Sequence, residues 1–155
     1  VVMTAGDFNL LRYAPGMNIV LGKGITVNSR ATAIKGTVDG NGYTINTAKP
    51  LASSVYGNVK NLNVIVTADL STAVLGNAID ASVNNVRVAM AEGVSLKANT
   101  NNSGILFNRI AAGTVIDSAL VKGNVTIVED KLSSIGAFAG LVDGDKVIEK
   151  VEADP

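Results

Sequence analysis

A parallel β-helix, an all-β solenoid with a short helical cap at its N-terminal end, is the fold this sequence predicts, and three observations predict it. A short apolar strand broken by Asn or a carboxylate recurs as Val59-Lys-Asn-Leu-Asn-Val64, Val83-Asn-Asn-Val-Arg-Val88, Val115-Ile-Asp-Ser-Ala-Leu120 and Val147-Ile-Glu-Lys-Val-Glu152. The starts at 59, 83, 115 and 147 are separated by 24, 32 and 32 residues, the spacing of a stacked repeat rather than of a compact core around one pocket. A second element keeps step with the first: Gly104-Ile-Leu-Phe107 and Gly136-Ala-Phe-Ala139 lie 32 residues apart, and Ala73-Val-Leu-Gly76 holds nearly the same place before Val83. Small residues recur where the chain must turn without bulk, as the corners of stacked coils require, whereas an antiparallel sandwich does not require its elements to keep step.

Two regions follow: an N-terminal cap over residues 1–30 and β-helix repeats over 31–155, in one structural domain. Within the cap, Thr4–Tyr13 predicts about two helical turns, with Thr4 or Asp7 as the N-cap and Phe8, Leu11 and Leu10 on the buried side. Pro15-Gly16 ends it. Asn18–Leu21 and Ile25–Val27 read as strands joined by Gly22-Lys-Gly24. Beyond Ala33 come strands rich in Val, Ile and Thr, which suit a pleated surface, and Asp39-Gly-Asn-Gly42 forms a sharp corner between Ile34–Val38 and Tyr43–Ile45. Ala73–Met90 is ambiguous by propensity, because alanine-rich strands resemble helices. The interior is expected to hold Val59, Leu62, Val64, Val83, Val86, Val88, Val115, Leu120, Phe107 and Phe138.

Composition narrows the chemistry. The 155 residues are 47% apolar and 17% charged, with 13 basic and 13 acidic side chains. That balance lacks the basic footprint of a nucleic-acid binder, and no apolar run is long enough to span a bilayer. Cysteine, histidine and tryptophan are missing, which excludes disulfides, thiolate or imidazole metal sites and a Ser-His-Asp triad. No signal sequence is apparent in Val1–Leu10, and the ends at Val1 and Pro155 read as those of an excised segment.

Gly104-Ile-Leu-Phe107 followed by Gly113-Thr-Val-Ile-Asp-Ser-Ala-Leu-Val-Lys-Gly-Asn-Val125 resembles the GLUG-motif repeats of bacterial secreted and surface proteins, including adhesin-like proteins and non-catalytic regions of IgA-specific metallopeptidases. Gly136–Gly144 followed by Val147–Ala153 is a looser match. Gly36-Thr-Val-Asp-Gly-Asn-Gly-Tyr-Thr-Ile45 is similar to the segment that often precedes such repeats, with Tyr43 where histidine is common. Asp117 and Glu149 stand in place of the usual asparagine. The resemblance covers roughly residues 3–153. It implies a right-handed parallel β-helix exported to the bacterial surface, and it implies no catalytic residues.

Each candidate site has a plain alternative. Asp39-Gly-Asn-Gly42 and Asp143-Gly-Asp145 offer the oxygen donors calcium wants, yet neither has the spacing of a known calcium loop; a metal-free turn accounts for both. Asp117, Glu149, Asp80 and Asp143 are the acids available for glycoside cleavage. Asp117 and Glu149 are expected about 5 Å apart on adjacent coils, their repulsion relieved by Lys150 or Arg87, and a solvated acidic face is the plainer reading. Asn58, Asn61, Asn84, Asn85 and Asn124 suit stacked amide ladders. Sugar binding would want aromatic platforms, for which Tyr43 and Tyr56 are the exposed candidates. Lys60, Arg87, Lys122 and Lys146 flank the strands as a weak basic row or an ordinary solvated face.

The expected function is a non-catalytic structural or adhesive module of a larger bacterial cell-surface or secreted protein. The alternatives are a self-assembling extracellular filament subunit and a polysaccharide-binding or polysaccharide-degrading β-helix. No metal and no cofactor is expected. The expected partners are domains or subunits stacking on the open end near Val147–Glu152, and a host protein or glycan.

Overall fold

The computed structural model describes residues 1–127, 135–142 and 147–154, the last stretch by its backbone pairing. Thr4 caps a helix, α1 (Ala5–Asn9), which runs into a 3₁₀ turn at Leu10–Arg12. Thr4 Oγ1 accepts the Asp7 N–H at 3.1 Å while Asp7 Oδ2 accepts the Thr4 N–H at 3.2 Å, a reciprocal capping box. Phe8 and Leu11 are buried as expected, but Leu10 is 50% exposed. The tighter 3₁₀ turn rotates Leu10 off the face that Phe8 and Leu11 share.

The remaining elements are strands. β1 (Ile19–Val20) and β2 (Ile25–Thr26) form a first rung, and β3 (Thr37–Asp39) and β4 (Thr44–Thr47) a second. They are followed by β5 (Ser54–Val55), the long β6 (Asn58–Val66), β7 (Asn77–Ala78), the long β8 (Ser82–Met90) and β9 (Ser95–Ala98). Last come β10 (Phe107–Ile110), β11 (Val115–Lys122), β12 (Asn124–Ile127), β13 (Ala139–Val142) and β14 (Val147–Asp154). Ala73–Met90, ambiguous in the sequence, is strand and turn.

These strands make three sheets. The largest runs β1-β3-β6-β8-β11-β14, with β2 and β4 beside β1 and β3; β5-β7-β10-β13 and β9-β12 form the others. Every strand pair and isolated bridge among the described residues is parallel. From β8 onward the chain visits the sheets in a fixed order, large, two-stranded and four-stranded, then returns to the large sheet one rung further on.

The rungs are not of equal length. Ile19 pairs with Val38 and Thr37 with Asn58, offsets of 19 and 21 residues. Asn58 pairs with Ser82, Ser82 with Val115 and Val115 with Val147, offsets of 24, 33 and 32. The lengthening coincides with the two-stranded sheet. It begins as a bridge from Leu70 to Leu96 and becomes β9 paired with β12.

The offset of 33 corrects the expected interior. Val83 pairs with Ile116, not Val115, and Val86 with Ala119. Ile116, Ala119 and Val121 are buried, while Val115 is 43% exposed and Leu120 only half-buried. A slip of one residue reverses every side chain in a strand, so the Val115 and Leu120 assignments fail together. Val59, Leu62, Val64, Val83, Val86, Val88 and Phe107 are buried as expected. Phe138 is half-buried and lies opposite Leu106 rather than Phe107, since Phe107 pairs with Ala139.

Inward columns result. Ile19, Val38, Val59, Val83 and Ile116 stack from rung to rung, as do Ile25, Ile45, Val64, Val88 and Val121. All are buried, and full burial of each such side chain contributes about 1.5–3 kcal/mol. Buried hydroxyls at three positions find partners: Thr47 Oγ1 donates to the Lys49 carbonyl at 2.6 Å, Ser103 Oγ to the Thr100 carbonyl at 2.9 Å, and Thr114 Oγ1 accepts the Ala81 N–H at 3.3 Å.

Candidate functional site

The outer face of the large sheet, before its bend, carries a cluster of polar side chains on neighbouring rungs. The bend comes from one left-handed residue in each long strand: Asn61 (φ 52°) in β6, Asn85 (φ 55°) in β8 and Ser118 (φ 63°) in β11. All three fall between paired positions, so they occupy one corner on successive rungs. Asparagine tolerates this backbone because its short amide bonds locally. Asn85 Nδ2 donates to Asn61 Oδ1 at 3.1 Å, and Asn61 Nδ2 to Asp39 Oδ1 at 3.4 Å. The expected amide ladder therefore exists at Asn61–Asn85. Asn58 Nδ2 instead donates to Thr37 Oγ1 at 3.3 Å, and Asn124 opens β12 as an exposed residue. The sequence reading missed Asn108, whose Oδ1 accepts the Ala73 N–H at 3.1 Å while its Nδ2 reaches Thr72 Oγ1 at 2.8 Å.

Asp39-Gly-Asn-Gly42 is the corner between β3 and β4. Asp39 Oδ1 accepts the Asn41 N–H at 2.8 Å as well as the Asn61 amide, so it is committed to the turn. Asp143-Gly-Asp145 and Lys146 lie outside the described residues. Among the described residues, no group of three or more carboxylates is placed to hold a metal ion.

Asp117 and Glu149 are cross-strand partners, so the expected one-rung relation holds in the backbone register. Arg87 does not serve Asp117: it pairs with Asn63 and Leu120, while the neighbour of Asp117 on β8 is Asn84. Asp117 Oδ1 is shielded from solvent without a hydrogen-bond partner. Asp80 sits in a turn at φ 50°, with its carboxylate beside Gly113 on the next rung rather than in the column of that pair. The three cations Lys60, Arg87 and Lys122 face Asn84, Asn63 and Ala89 respectively, in three different columns, so they do not line up as a row. Tyr43 and Tyr56 are exposed at 40% and 43%, and Lys35 Nζ lies 5.8 Å from the Tyr56 ring centroid on the preceding rung, a cation–π geometry.

Within this face is a cleft of about 230 Å³ lined by Thr37, Asn58, Val59, Lys60, Ser82 and Asn84. Thr37, Asn58 and Ser82 form one column, and Lys60 and Asn84 the next on the same face. Val59 lies between them with its side chain in the core. Asn58, Asn84 and Lys60 were singled out from the sequence. Thr37 and Ser82 were not, because only the register brings them beside Asn58.

No family model matches the sequence, no curated protein matches it, and no solved structure matches the fold. No helix among the described residues is long and apolar enough to cross a membrane.

Proposed function

We propose that this chain is a non-catalytic structural or adhesive module, a right-handed parallel β-helix of the GLUG-repeat kind, in a larger bacterial cell-surface or secreted protein. The observation that carries the reading is the purely parallel, register-matched stacking of rungs around continuous aliphatic columns. Such a unit grows by adding rungs and offers long outer faces to a partner. The acids of the outer face share one column with a cation and an amide. In the column Asp39, Lys60, Asn84, Asp117, Glu149, Asp39 is tied into a turn and a cation and an amide separate it from the later acids.

Antibodies raised against the folded domain test the location. Binding to intact cells of the source organism is expected, and a signal appearing only after permeabilisation overturns it. Incubation with neutral and acidic polysaccharides tests the chemistry: no new reducing ends and no unsaturated sugar products are expected, and catalytic release of either overturns the non-catalytic reading.

A further inference from the structure

The geometry points to the cleft around Lys60 as a binding site for a sugar acid, a polyhydroxylated ligand bearing one carboxylate. This deepens the adhesive reading by naming a ligand class, and it stands on the cleft's own composition.

The lining is two primary amides, two hydroxyls and one ammonium, from Asn58, Asn84, Thr37, Ser82 and Lys60. Amides and hydroxyls both donate and accept, the combination that suits a ring of hydroxyl groups. Lys60 supplies the charge. Among the described residues it has no ion pair, and its neighbour on β3, Asp39, has Oδ1 committed to the Asn41 N–H and the Asn61 amide. Asn58 spends one amide proton on Thr37 and keeps its remaining capacity.

Lys60 is the one charged side chain in that lining. A single ammonium among neutral amides and hydroxyls suits a ligand with one carboxylate on a hydroxylated ring, whereas phosphate and sulfate esters call for several converging donors.

D-Glucuronate and D-glucose make a matched pair, differing only in the C6 carboxylate. In an NMR titration, glucuronate is expected to shift the side-chain amides of Asn58 and Asn84 and to bind at least about tenfold more tightly than glucose, as a charge-assisted contact requires. Lys60→Gln should erase that preference with an unchanged melting temperature, because Lys60 is exposed, and Lys60→Arg should keep it. A tetrasaccharide of alternating glucuronate and N-acetylglucosamine separates the sources. Tighter binding than the monosaccharide indicates a glycan chain, and equal binding a free sugar acid. Equal affinity for glucose and glucuronate, no binding of either, or a preference surviving Lys60→Gln overturns the proposal. The antibody experiment on cells is read separately, so the ligand and the location fail independently.

Discussion

Asn85 hands its side-chain amide to Asn61 across 3.1 Å, and both residues hold a left-handed backbone at the same corner of successive rungs. One residue type thus performs two tasks. It permits the bend that turns each long strand, and it ties that bend to the one below. On the following rung the corner passes to Ser118, also left-handed, which lacks an amide to continue the chain of hydrogen bonds.

Replacing Asn85 separates the two tasks. Asn85→Gly keeps the backbone freedom and loses the hydrogen bond, a net cost of about 0.5–1.5 kcal/mol. Asn85→Ala loses the hydrogen bond and also carries a left-handed penalty of about 1–2 kcal/mol. Urea unfolding should rank wild type above Gly and Gly above Ala. An alanine variant as stable as the glycine variant would refute the backbone account.

The register of β11 predicts opposite outcomes for adjacent residues. Ile116 is fully buried opposite Val83, whereas Val115 is exposed opposite Ser82. Ile116→Ala is expected to cost about 2–5 kcal/mol, and Val115→Ala no more than about 0.5 kcal/mol. The reverse order in a denaturant titration would mean the strand is paired one residue out of step.

Gly76 marks a close approach between rungs. Its φ is +67°, and a Cβ added there would stand 1.9 Å from the Ser53 carbonyl oxygen. Backbone on both sides leaves nothing flexible to yield. Gly76→Ala should therefore destabilise by about 3 kcal/mol or more, or abolish soluble expression, while Gly16→Ala, with open space around it, should change stability little. Equal tolerance of both would rule out the close packing of β7 on the preceding rung.

Acid should loosen the N-terminal helix. The backbone N–H of Met3, with help from Thr4, holds the Asp7 carboxyl below the ordinary aspartate range. A carboxyl lowered by folding stabilises the folded state above its unfolded pKa, near 3.9, and loses that contribution as pH falls through the folded value. Protection of the Met3 and Thr4 amides, relative to intrinsic exchange, should fall in that acid window and be already low at neutral pH in Asp7→Ala, which removes the acceptor. Identical protection in wild type and variant would remove the capping box from the account.

Much of the architecture is legible in local chemistry. Thr4 and Asp7 announce a capped helix, Pro15-Gly16 its end, and Asp39-Gly-Asn-Gly42 a corner, because these signals act over a few residues through hydrogen bonds and allowed φ. Recurring valines likewise announce stacked strands. Their partner choice is not local. Val115 and Ile116 are both β-branched and either would serve as the inward residue. Only pairing with Ser82 and Val83, thirty-three residues earlier, turns one outward and the other into the core. The cleft obeys the same division. Asn58, Lys60 and Asn84 stand out in the sequence as polar interruptions of apolar strands, yet Thr37 and Ser82 join them only when parallel rungs align. Side-chain direction alternates with every residue along a strand, so a one-residue difference in coil length, invisible to any local signal, decides which chemistry shares a face.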